Sequence, residues 1–151
     1  MRMHWMTAVV VGLLLGADAK DDVKKEKEKE KLQGTWKCVM LEEKGESKAD
    51  TEDRRIVFDG DNFSVKRGDE TMIKGTFKVD PSKNPKEVDM EVQGGIKAEG
   101  DIGKTAQGIY VLKGDELKLC VLHPGGTDRP REFSAPAGSQ RIFITLKREK
   151  S

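Results

Sequence analysis

Val88-Asp89-Met90-Glu91-Val92 decides the fold, because its apolar and acidic residues alternate with a period of two. Successive side chains of a β-strand point to opposite faces, so this pattern buries Val88, Met90 and Val92 and leaves Asp89 and Glu91 in water. The same alternation extends in both directions. Upstream, Ile73, Phe77 and Val79 face away from Lys74, Thr76 and Lys78, and Trp36, Cys38 and Met40 alternate with Lys37, Val39 and Leu41. Downstream, Leu117, Leu119 and Val121 alternate with Lys118 and Cys120, and Ile142, Ile144 and Leu146 with Phe143, Thr145 and Lys147. From Leu32 onward no stretch sustains a helical period of 3.6.

Between these runs lie Asp59-Gly60-Asp61-Asn62, Arg67-Gly68-Asp69-Glu70 and Lys113-Gly114-Asp115. Glycine reaches positive φ without penalty, and Asp and Asn side chains bond the nearby backbone, so these are hairpin turns. The pattern predicts an all-β fold of eight strands, at 34–42, 54–59, 62–67, 71–79, 86–93, 106–112, 116–122 and 141–148. Eight consecutive antiparallel strands with one apolar face must close or stack to protect their edges. An up-and-down barrel is the economical solution, and a two-sheet sandwich gives the same alternation.

The 151 residues contain 28 Lys+Arg and 27 Asp+Glu, a formal net charge of +1. No global field therefore favours non-specific binding to nucleic acid. The N-terminus is organised differently from the rest. Met1-Arg2 begins a basic start, Met6 to Gly16 is an apolar run, and Ala17-Asp18-Ala19 is a small-x-small ending, the three parts of a secretory signal peptide over residues 1–19. The run is too short to span a bilayer, which needs about 20 apolar residues. Cleavage after Ala19 would place the mature chain outside the cytoplasm, secreted or periplasmic, with no stable membrane insertion; an uncleaved anchor is the alternative. Residues 20–31, KDDVKKEKEKEK, follow as a charged spacer with helical i,i+3 pairing and only Val23 to bury. The domain thus begins near Leu32 and runs to Ser151, and it is neutral, with 21 basic and 21 acidic residues.

Chemistry is sparse. Beyond the expected leader only His123 remains, which excludes a two-histidine metal site, and Asp59-Gly60-Asp61-Asn62 lacks the further ligands of a calcium loop. Ser64, Ser134 and Ser139 sit in no nucleophile motif, and the glycine pairs carry no phosphate-loop Lys-Ser/Thr. The outward strand positions are Lys, Glu, Asp and Thr, which give no stacking platform for single-stranded nucleic acid. No catalytic residue, metal ligand or cofactor is assigned. Cys38 and Cys120 form an even pair, and an exported chain permits one disulfide between them. Against that bridge, strict alternation puts Cys38 inside with Trp36 and Cys120 outside, and opposite faces do not bridge without a bulge.

The ordered series Leu32-Gln33-Gly34-Thr35-Trp36-Lys37, Ile56-Val57-Phe58-Asp59-Gly60-Asp61, Gly75-Thr76-Phe77-Lys78-Val79-Asp80-Pro81, Gly114-Asp115-Glu116-Leu117-Lys118-Leu119-Cys120 and Leu146-Lys147-Arg148 resembles an uncharacterised lipocalin-like domain family expanded in planctomycete bacteria. The likeness covers about residues 32–149. It implies a lipocalin-like barrel and export, and it brings no catalytic residues. Gly34-x-Trp36 also looks like the first-strand motif of lipocalins, in which the Trp closes the barrel bottom under an Arg from the last strand. Arg148 is the expected partner, with Arg141 the second choice.

Eight-stranded barrels either fill with side chains or hold one small ligand. The expectation is a small apolar or amphipathic ligand in the barrel, with Met40, Phe58, Phe77 and Met90 facing it and Tyr110 as a polar handle at the mouth. The alternative is a protein-interaction or inhibitor scaffold that acts through loops 43–53, 94–105 and 123–140.

Overall fold

The structure, a computed structural model, describes residues 17–150, so residues 1–16 of the expected leader lie outside the described residues. Within them the chain forms one helix, α1 (Ala17–Leu32), and nine strands: β1 (Gly34–Glu43), β2 (Glu46–Ala49), β3 (Arg54–Asp59), β4 (Asn62–Arg67), β5 (Glu70–Asp80), β6 (Lys86–Gly94), β7 (Thr105–Lys113), β8 (Glu116–Leu122) and β9 (Arg141–Arg148). The strands form one antiparallel sheet in the order β2-β1-β3-β4-β5-β6-β7-β8-β9, and β1 also pairs with β9. That last ladder closes β1 and β3–β9 into an eight-stranded, lipocalin-like up-and-down barrel. A single closed sheet excludes the sandwich.

β2 is an addition to the eight expected strands and lies within the expected loop 43–53. It pairs with Met40–Glu43 of β1, and all four of its side chains are exposed. A strand with no buried face has no alternation to read. β1 thus serves two partners on one edge, β3 along Gly34–Lys37 and β2 along Met40–Glu43.

Strict alternation fails in β1, and the cause is a bulge. Cys38 pairs with Leu146 and Met40 with Thr145, so Val39 is an extra residue opposite β9. A bulge rotates the side chains beyond it by one position. Met40, expected inside, is therefore 41% exposed, and Leu41 takes the interior place at 2%.

The outer face of β7–β9 is not the wet face that the alternation predicts. Ile109, Cys120 and Phe143 form a cross-strand row there, and residues 123–140 cover it. Pro130 and Ala135 are buried against this face, the Phe133 and Phe143 rings lie 5.9 Å apart, and the Cys120 thiol donates to the Ser134 carbonyl at 3.4 Å. Burying a side chain of Ile109's size contributes about 1.5–3 kcal/mol. Arg129 pins the segment, donating to the Val88 and Gly108 carbonyls at 3.0 and 2.9 Å and to Asp89 at 2.7 Å. The two cysteines are free and, as their faces require, lie on opposite sides of the barrel wall.

Helix α1 leaves residues 20–27 exposed and sets its C-terminal half against one end of the barrel. Leu32 is buried among the core residues, and the Glu28 carboxylate, 5% exposed, accepts from Lys86 Nζ at 2.7 Å and from the Tyr110 hydroxyl at 3.2 Å. Lys29 pairs with Asp61 in the β3–β4 turn at 2.5 Å, and the Gln33 side chain brackets Gly60 by bonding both its amide and its carbonyl. A helix with almost no apolar residues is held by ion pairs and hydrogen bonds at its C-terminal half. Amphipathic patterning cannot reveal such docking.

Candidate functional site

The closed end and the open end of the barrel differ in what fills them. Trp36, fully buried, donates its indole N–H to the Leu32 carbonyl at 2.8 Å, and the Arg148 guanidinium sits 4.3 Å from its ring centroid. Gly34 has φ +113°, a backbone conformation that glycine takes without penalty and that other residues rarely adopt. Phe58 and Phe77 pack edge to face at 4.7 Å, and Leu117 and Tyr110 complete the plug. Burial and the neighbouring Glu28 carboxylate both push the Tyr110 hydroxyl above its ordinary pKa.

Toward the other end the interior side chains are aliphatic and leave space. A cavity of about 620 Å³ opens there, with Ile56, Phe63, Met90, Leu119 and Leu146 along its depth and Val65, Ile73, Val121, Ile142 and Ile144 nearer the mouth. The last five face inward yet stay only partly buried, because they border the cavity instead of another side chain. Pockets that hold small molecules are typically about 300–1,000 Å³ and mostly apolar.

The sequence-predicted site residues separate into two groups. Met90 lines the cavity. Phe58, Phe77 and Tyr110 do not: they belong to the plug, and Met40 is outside the barrel. Tyr110 cannot serve as a mouth handle, because β7 enters from the open end and Tyr110 pairs with Lys86 at the closed one. The missed distinction was polarity along the strands. Trp36, Phe58, Phe77 and Tyr110 all lie in the halves of their strands nearest the turns at 60, 81–85 and 114, a signal present in the hairpin order.

Polar groups gather at the mouth, which is formed by the connections after β1, β6 and β8. The Cys38 thiol faces the cavity, donates to the Met40 carbonyl at 3.5 Å and is pushed up to about 11 by burial and the nearby Asp50 carboxylate. Asp50, its side chain 2% exposed, accepts the Arg54 amide at 3.0 Å through Oδ2, while Oδ1 has no hydrogen-bond partner and lies 3.6 Å from Arg54 Nη1. Glu43, Lys44, Lys97, His123 and Arg141 also border the opening. Among the described residues no group of three or more His, Cys, Asp or Glu side chains is placed to hold a metal ion, and no helix is long and apolar enough to cross a membrane. A scan against protein-family models and a search of curated proteins found no match to this chain.

Proposed function

We propose that this protein is an exported binding module that holds one small apolar or amphipathic molecule in its barrel. The carrying observation is the 620 Å³ apolar cavity, open at one end and stoppered at the other by Trp36, Arg148 and helix α1. A buried aliphatic wall gains roughly 25 cal/mol for each Å² of apolar surface that an occupant removes from water. The charged groups at the mouth are placed to meet a polar end. The leader-like residues 1–19 support export, and the ordered motifs over residues 32–149 support membership of the lipocalin-like family named above.

Calorimetric titration with 1-decanol tests the reading, alongside the variant Ile144→Trp, which fills the cavity near its mouth. Saturable binding by the native protein, lost in a variant that unfolds at a similar temperature, is the expected result. Binding retained after the cavity is filled, or no uptake at all, would overturn it. Export has its own test: protein recovered from expressing cells should begin at Lys20, and an intact Met1 would count against cleavage.

A second reading, a scaffold that docks a partner protein through its loops, is favoured by one observation. Ile96 and Ile102, in the connection after β6, are 58% and 63% exposed. Paired Ile96→Ser and Ile102→Ser changes should abolish partner capture if that reading holds, and leave decanol uptake unchanged.

A further inference from the structure

Resting on the cavity reading, we infer that the occupant is an amphiphile with an anionic headgroup, a carboxylate, sulfate or phosphate ester, which Lys44, Lys97 and Arg141 hold at the mouth. Its apolar chain enters the barrel. Six ordinarily titratable or charged side chains besides the Cys38 thiol line the cavity: Glu43, Lys44, Arg54, Lys97, His123 and Arg141. Four are cations and one is a carboxylate. This bias is local, since residues 32–151 as a whole are neutral.

Arg54 is already committed, paired with Glu52 at 2.5 Å and with Asp50 at 3.6 Å. Among the described residues none of the other three cations takes part in an ion pair. Lys44 and Lys97 come from two separate connections at the open end and Arg141 from the first residue of β9, and the backbone fixes each one. Lys44 occupies the β1–β2 turn with φ 55°. The Lys97 amide donates to the Met72 carbonyl at 2.9 Å, and Gly95 lies so close to β5 that a Cβ there would stand 2.3 Å from that same oxygen. Arg141 opens β9 opposite Leu122, its amide donating to the Ser139 hydroxyl at 3.3 Å.

Three cations around an apolar, low-dielectric opening focus a positive potential where the polar end of an inserted chain must stop. A cationic headgroup would meet like charge there. An uncharged one would gain nothing from it. Of the acids at the mouth, Asp50 is matched by Arg54, and Glu43 alone does not reverse the sign.

Calorimetric titration with decanoate, 1-decanol and decyltrimethylammonium, three probes with the same chain, separates the possibilities. Decanoate should bind about tenfold or more tightly than decyltrimethylammonium, and the gap should narrow at high salt. In the triple variant Lys44→Gln/Lys97→Gln/Arg141→Gln, decanoate affinity should fall about tenfold while 1-decanol changes less than about twofold. Equal losses for both probes, or decyltrimethylammonium binding as tightly as decanoate, would overturn the headgroup assignment and leave the cavity reading standing. If none of the three binds, both fail together.

Discussion

Arg148 covers the ring of Trp36 at 4.3 Å and from that position donates to the Gln33 and Lys31 carbonyls at 2.8 and 2.7 Å. One side chain thus joins the last strand to the first strand and to the C-terminal end of helix α1, whose carbonyls carry the negative end of the helix dipole. Arg148→Ala should lower stability by about 2–4 kcal/mol, from the lost stacking and two charge-assisted hydrogen bonds. Arg148→Lys should recover only part of this, because a point charge cannot stack and fork at once. Urea unfolding of the three proteins measures both.

Glu28 is the second fastener of the same end. Glu28→Ala leaves the Tyr110 hydroxyl buried without its partner and frees Lys86, for an expected loss of about 1–3 kcal/mol. Lys24→Ala, on the exposed part of the helix, should change stability by less than about 0.5 kcal/mol. Thermal unfolding that responds equally to both changes would contradict the docking of α1.

The Cys38 thiol predicts a pH dependence. Its folded pKa, about 11, lies above the ordinary value of 9.0, so between these the folded state holds a proton that the unfolded state has released. Stability from this group is complete below about pH 9 and declines toward pH 11, by up to about 1.4 kcal/mol per pH unit. Burial raises Cys120 and Tyr110 in the same direction. Cys38→Ala should flatten part of the alkaline decline, as followed by denaturation at pH 8, 9, 10 and 11. Both thiols should react slowly with a thiol reagent in the folded protein at pH 8, since each is buried and protonated there.

Arg129 holds the segment 123–140 against the barrel through two carbonyls and Asp89. Arg129→Ala should raise the population of detached segment about tenfold, which corresponds to one charge-assisted bond of roughly 1.4 kcal/mol. Chymotrypsin cleavage after Phe133 reports this directly. Unchanged cleavage would mean that the burial of Ile109, Cys120 and Phe143 suffices without the arginine.

Much of the architecture was legible because one buried face imposes a period of two, as in Val88, Met90 and Val92, and because turn residues such as Gly60 and Gly114 punctuate it. The Trp36 and Arg148 closure was expected from the likeness of Gly34-x-Trp36 to the first-strand motif of lipocalins, not from alternation. Where the chain departed from the pattern, a specific force replaced burial of alternate residues. At Val39 an extra residue shifted the ladder; at β2 no face is buried; along α1 the contacts are ionic; over Ile109 and Cys120 a loop supplies a second covering layer. The candidate site was half legible. The interior aliphatics followed from alternation, but a strand pattern gives the face of a side chain and not its depth, so Phe58, Phe77 and Tyr110 were assigned to a space that they instead seal.

A barrel stoppered at one end by an indole, a guanidinium and a docked helix is a vessel and not a conduit. Any molecule that enters by the mouth must leave by it, so on the proposed reading release would retrace uptake past the same rim.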